Sequence, residues 1–174
     1  MARLFGTDGI RGVANVELKP TLAYALGRAT AHQLLGQGGK LVLGQDTRRS
    51  GDMFVAAITA GATSLGADVR IAGVIPTPAL AFLAGTGEFA AGIMVSASHN
   101  PADDNGLKVL DANGLKLDDG IEEEIEQLIW RSEELGSVGN ALIGRAIVDP
   151  GLLDRYRQHR LGLARTIDAA GLRI

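Results

Sequence analysis

Apolar positions recur along the chain with both helical and strand periods. At 20–35, Leu22, Ala25, Leu26 and Ala29 lie near helical spacing, and only Gln33 breaks the stripe. Pro20 suits a first helical turn and Gly36 a terminus, so the spacing predicts a helix over 20–35 followed by a turn at 36–39. Leu41-Val42-Leu43 predicts a short strand over 40–44. Ser50 is a good cap for a helix over 52–65, rich in small residues that allow close packing. A strand over 68–74 is followed by Pro76-Thr77-Pro78, with Thr77 as cap of a helix reaching Ala84. Phe89 to Val95 is an apolar run bounded by polar residues, which predicts a third, buried strand. Helix and strand alternating in this way predict an α/β fold: a mixed, largely parallel sheet covered by helices.

Beyond residue 100 the pattern changes. Short apolar runs at 106–110 and 115–117 flank Asn113-Gly114, a hairpin turn signal. Asp118 or Asp119 opens a helix with Ile121, Ile125, Leu128 and Ile129 on one face, and Glu122, Glu123, Glu124 and Glu126 are assigned to its solvated face. Residues 131–148 read as an irregular connector, and Asp149-Pro150 starts a helix to Leu161. Its Arg155, Arg157, Arg160 and Arg165 read as a solvated or interdomain face in preference to a nucleic-acid patch. Leu172-Arg173-Ile174 looks like a strand that starts and is cut off. The expected division is one domain at 1–148, with 149–174 a linker helix and the incomplete start of a second domain.

Composition narrows the chemistry. The 174 residues carry a net charge of −3, which argues against a general nucleic-acid binder. There are no cysteines, which excludes disulfides, thiolate metal sites and cysteine catalysis. No leader-like or membrane-length apolar run occurs, so a cytoplasmic protein with no membrane partner is expected. Glycine, at 24 residues, is about twice its usual ~7% share, as expected for tight turns and loops that approach a ligand.

The densest chemistry follows the third strand. Ser96-Ala97-Ser98-His99-Asn100-Pro101 leads into Asp104-Asn105-Gly106-Leu107-Lys108. Open α/β sheets bind ligands at such strand ends. Ser98 is the candidate nucleophile. A serine-hydrolase reading is disfavoured because sequence neighbours on extended backbone point apart, which would separate His99 from Ser98, and because no Gly-x-Ser-x-Gly elbow occurs. A phosphoserine suits the segment better: its phosphate needs cations and donors, which Lys108, Arg11 and His99 can supply, with a divalent metal neutralising the rest. Arg11, the only cation of Phe5-Gly6-Thr7-Asp8-Gly9-Ile10-Arg11-Gly12, reads equally as a solvated side chain in a turn or as a bidentate phosphate ligand. Asp46 and Arg48, after the second strand, read as a structural pair more than a catalytic one. A polar turn with no chemistry is the competing account of 96–101. His32 is assigned to the surface.

These segments resemble the α-D-phosphohexomutases. Ser96 to Pro101 with Asn105 to Lys108 is similar to that superfamily's phosphoserine loop, Phe5 to Gly12 to its amino-terminal loop, and Gly44 to Arg48 and Pro76 to Pro78 to two further segments. Ser96 and the opening Arg3 to Gly12 look most like the bacterial branch that interconverts glucosamine 6-phosphate and glucosamine 1-phosphate for cell-wall precursors. The resemblance implies that phosphorylated Ser98 passes its phosphoryl group to the sugar phosphate, that the bisphosphate turns over in the site, and that the other phosphate returns to Ser98. It further implies Lys108 and Arg11 at the sugar hydroxyl, His99 at phosphate or sugar, and Ser96 and Asn100 beside the phosphate. One Mg²⁺ would bind Ser98 through its phosphate, with its remaining ligands in a second domain. Family members have four domains, so the chain alone is expected to have little or no activity. A related mutase acting on mannose or glucose phosphates, and a non-catalytic domain that binds a sugar phosphate, are the alternatives. A homodimer is possible.

Overall fold

The computed structural model describes residues 3–35 and 39–165. Its elements are β1 (Ile10–Val13), α1 (Pro20–Thr30) continuing as a π-turn (Ala31–Leu35), β2 (Lys40–Gln45), α2 (Gly51–Thr63), β3 (Asp68–Val74), α3 (Thr77–Ala84), β4 (Ala91–Val95), β5 (Asp104–Leu110), α4 (Asp119–Trp130), short 3-10 turns (Ser132–Leu135 and Asn140–Leu142), β6 (Ala146–Val148) and α5 (Gly151–Ala164). The strands form one sheet in the order β1-β5-β4-β2-β3-β6. β4, β2, β3 and β6 run parallel, while β5 is antiparallel to both β4 and β1.

Alternation along each strand divides the core between two faces. Leu41 and Leu43 of β2, Ile93 and Val95 of β4 and Leu107 of β5 pack under Leu26 of α1, Phe54 and Ile58 of α2, and Ile125 and Ile129 of α4. On the other face Val42, Met94 and Leu110 meet Leu80 and Leu83 of α3 and Leu152 of α5. The chain steps from β2 through α2 to β3 on one side, then returns through α3 to β4 on the other side of β2. Right-handed crossovers going in opposite directions place α2 and α3 on opposite faces. The carboxyl ends of β2 and β4 therefore lie side by side where the winding reverses, the position at which open α/β sheets bind ligands.

Several expectations are corrected. Residues 5–12 are only partly a loop: β1 begins at Ile10, because its backbone completes the free edge of β5. The cap of α3 is Pro76, and Thr77 is its first residue. The hairpin at 106–117 reduces to one bridge between Leu110 and Lys116, since β5 finds both its partners in β1 and β4. The connector at 131–148 contains β6, an exposed three-residue edge strand. Glu122 and Glu126 do not belong to a solvated face. The Glu122 side chain is 4% exposed and lies 3.1 Å from Lys116 and 3.7 Å from Arg3. Glu126 accepts the amides of Leu4 and Phe5 at 2.8 and 3.4 Å, tying the amino-terminal segment to α4. The predicted strand at 172–174 and most of the turn at 36–39 lie outside the described residues. Among the described residues no helix is long and apolar enough to cross a membrane.

The Asp111–Leu115 turn carries a pH prediction. Burial pushes the Asp111 carboxyl up, but hydrogen bonds from the Leu115 amide, the Asn113 side chain and the Asn113 amide outweigh it and hold the group below its ordinary value. A depressed carboxylate stabilises the fold above its unfolded pKa, and that contribution is lost as pH falls through the folded one. The Leu115 amide resonance is expected to titrate with a midpoint below that of aspartate in a model peptide, and Asp111→Asn should abolish the titration. A midpoint at or above the peptide value would refute this reading.

Candidate active site

β4 is buried at every position and releases the chain at Ser96. Ala97 is fully buried, which anchors the turn, while Ser98 and His99 are exposed. Ser98 has a φ of +56°, one of two positive values among described non-glycine residues. Such a conformation costs about 1–2 kcal/mol in an L-residue and persists only where the surroundings impose it. Here the Ser98 amide donates to Ser96 Oγ at 3.0 Å, and Ser96 Oγ donates to Asp46 Oδ2 at 2.6 Å. The left-handed turn also defeats the expectation that Ser98 and His99 point apart, since Ser98 Oγ lies 3.4 Å from His99 Nδ1. Among the described residues no carboxylate bonds the other ring nitrogen, so the triad reading gains nothing from this contact.

Sheet pairing brings the cations to the serine. Register sets Arg11 opposite Gly106 and Met94 opposite Lys108. Asp8, Arg11, Thr77, Met94, Ser96, Ser98, His99 and Lys108 line one cleft of about 280 Å³. Gly106 leaves room for Arg11: a Cβ there would lie 2.6 Å from the Ser96 carbonyl oxygen and 3.2 Å from Arg11 Cγ. Asp8 braces both cations, at 3.6 Å from Arg11 Nη2 and 3.5 Å from Lys108 Nζ. Arg11 Nη1 donates to Asn100 Oδ1 at 3.1 Å, while its Nε is buried with no acceptor. The Arg11 side chain as a whole is part-exposed and lines the cleft, where a guanidinium can meet an anion. Two cations face one carboxylate, so the cleft is net positive beside an exposed hydroxyl.

A sequence-family model described as phosphoglucomutase/phosphomannomutase, alpha/beta/alpha domain I, matches residues 2–136. The chain belongs to this family. It is 47% identical over its whole length to a phosphoglucosamine mutase of Desulforudis audaxviator and 48% identical to one of Mycobacterium leprae, spanning 39% and 38% of those proteins. It thus covers about two fifths of the curated relatives it matches. Among solved structures, a putative phosphomannomutase from Thermus thermophilus superimposes with a TM-score of 0.77 at 32% identity, over 96% of this chain and 37% of that one. A phosphoglucomutase/phosphomannomutase family protein from Burkholderia thailandensis gives 0.76 at 27% identity, over 92% and 35%.

Of the residues expected at a phosphohexomutase serine, Ser96, Ser98, His99, Arg11 and Lys108 share the cleft, while Asn100 braces Arg11 from its rim. Ser96 and Asn100 are already engaged within the protein: Asn100 Nδ2 donates to Asp104 Oδ2 at 3.0 Å. Asp8, Thr77 and Met94 were not identified as site residues. Met94 is legible only through strand register. Asp8 could have been found from its position three residues before Arg11, inside the glycine-rich opening. The family resemblance implies Mg²⁺, but the residues described do not form its cage. No group of three His, Asp or Glu side chains converges among them, and the cleft's one carboxylate is committed to two cations.

Proposed function

We propose that this chain is the serine-bearing part of a phosphoglucosamine mutase, interconverting glucosamine 6-phosphate and glucosamine 1-phosphate. The observation that carries the reading is the exposed Ser98 hydroxyl in a strained turn, sharing a cleft with Arg11 and Lys108. In the forward direction the bond between phosphorus and Ser98 Oγ breaks as one forms to the sugar's O1. The proton of that hydroxyl leaves to a base, for which His99, or Lys108 in its neutral amine form, is the candidate, and the bisphosphate then returns its O6 phosphoryl group to Ser98 as O6 takes the proton back. Arg11 would hold phosphoryl oxygens, and the positive cleft would stabilise the charge spread over them in the transition state. A Mg²⁺ bound through the Ser98 phosphate, as the family resemblance implies, would draw its carboxylates from outside the described residues. The division into a domain at 1–148 and a linker from 149 belongs to the same proposal.

A second reading, a phosphomannomutase or phosphoglucomutase, is favoured by the names of the solved neighbours. Comparing glucosamine, glucose and mannose 6-phosphates in a coupled assay, with a sugar bisphosphate as activator, separates the two. The glucosamine substrate should turn over fastest in a protein that joins this chain to the remainder of a mutase. The chain alone should be at least ~100-fold slower, because groups that position the sugar are worth that much. Turnover by the chain alone near that of a complete relative would contradict this.

A further inference from the structure

We propose that Arg48 is the positioning residue of the serine turn: its guanidinium imposes the left-handed conformation that presents Ser98 Oγ to the cleft. Arg48 sits in the loop after β2, beside the exit of β4, with a side chain only 10% exposed. All five of its side-chain N–H groups meet acceptors within the protein. Nε donates to Asp46 Oδ2 at 3.1 Å, Nη1 to the Asp104 carbonyl at 2.9 Å and to the Pro101 carbonyl, and Nη2 to the carbonyls of Ser98 at 3.0 Å and Asn100 at 2.8 Å. A guanidinium has five such donors and no more. Arg48 therefore has none to offer a phosphate, and it acts through the backbone.

The arrangement grips Ser98 from both sides. Its amide is held by Ser96 Oγ, which is held by Asp46, and its carbonyl is held by Arg48, which is paired with the same Asp46 carboxylate. Fixing the peptide groups before and after a residue fixes its φ and ψ, so the positive φ follows from the pair Asp46–Arg48. Four carbonyls between Ser98 and Asp104 converge on one planar cation, a geometry that only the guanidinium fork satisfies. Lysine, with three tetrahedrally disposed donors, keeps the charge and loses the plane. Charge alone is therefore not what the site requires.

The test compares Arg48→Lys, Arg48→Ala and Asp46→Asn in the whole chain, with the exposed Arg49→Lys as control. Two readouts are used: the Ser98 backbone conformation from HN–Hα coupling and 13C shifts, and the rate of labelled phosphoryl transfer from glucose 1,6-bisphosphate to Ser98. The expected result is that Arg48→Lys still unfolds cooperatively, at a lower melting temperature than the parent, and loses the positive φ at Ser98. Its maximal transfer rate should fall about 100-fold, the cost of a misplacement near 1 Å, with half-saturating bisphosphate within about 3-fold of the parent. If Arg48→Ala does not fold, Arg48→Lys and Asp46→Asn decide. A retained positive φ in Arg48→Lys overturns the proposal, and so does a lost φ with an unchanged rate. The consequence for transfer rests on the reading of Ser98 as phosphoryl acceptor. If the parent takes up no label either alone or joined to the remainder of a mutase, that reading fails, and the coupling and shift data alone decide whether Arg48 sets the turn.

Discussion

Ser98→Ala is expected to abolish phosphoryl uptake from a sugar bisphosphate, a loss on the order of 10⁴-fold or more, while leaving the fold intact. Ser98 Oγ is exposed and makes only the 3.4 Å contact to His99, so its removal leaves no buried group unpaired. Ser98→Gly sharpens the point. It relieves about 1–2 kcal/mol of left-handed strain and adds about 0.5–1 kcal/mol of chain entropy to lose, so the melting temperature should hold or rise as uptake vanishes. Ser96→Ala should behave differently. It deletes the link between the Ser98 amide and Asp46, and uptake should fall about 100-fold without disappearing. Rates of label incorporation, with thermal melts as the fold control, distinguish these outcomes. A Ser98→Ala protein labelled as fast as the parent would remove Ser98 from the chemistry.

The second large effect concerns the platform beneath the loop. α1 and α2 cross so closely that a Cβ at Gly61 would lie 2.1 Å from the Tyr24 carbonyl oxygen, and one at Gly27 2.3 Å from that of Ile58. Both obstacles are helix backbone, which cannot turn aside as a side chain can. Gly61→Ala gains about 1 kcal/mol of helix propensity, yet should destabilise the protein by roughly 2–3 kcal/mol as the helices are forced apart. That predicts a melting temperature lower by roughly 5–10 °C for a domain of this size. Gly162→Ala in α5, where nothing lies within 4 Å of the added methyl, is the control and should hold or raise stability. Because α2 continues directly from the Asp46–Ser50 loop, Gly61→Ala should also slow phosphoryl uptake. A Gly61→Ala melt equal to the parent's would show that the helices can separate at no cost.

The parallel strands β2, β3 and β4 were legible because they are short apolar runs bounded by glycine or polar residues, as at 68–74, which β3 matches in full. β1 and β6 were not. Ile10–Val13 has one buried residue and Ala146–Val148 none, so neither carries a burial period, and both are strands because a neighbour's edge offers backbone partners. Glu122 was misassigned because periodicity reports the side of a helix and is blind to which charges lie across from it, here Lys116 and Arg3. The cleft follows the same division. Ser98, His99, Arg11 and Lys108 could be named from residue type and family resemblance. Their convergence depends on β1 pairing with β5, and the contact between Ser98 and His99 depends on a positive φ that no local pattern at Ser98 announces. Arg48 was read as structural from its proximity to Asp46, but its hold on four carbonyls fifty or more residues away is visible only in three dimensions.

Phosphosite mapping is the most direct test of the claim that this strand exit builds a phosphoryl acceptor. The chain is incubated with a labelled sugar 1,6-bisphosphate, alone and joined to the remainder of a mutase, and the modified peptide is sequenced. The label should sit on Ser98 and nowhere else, and unlabelled bisphosphate should chase it off. Label on Ser96 or another hydroxyl, or no exchangeable label in either protein, would contradict the account.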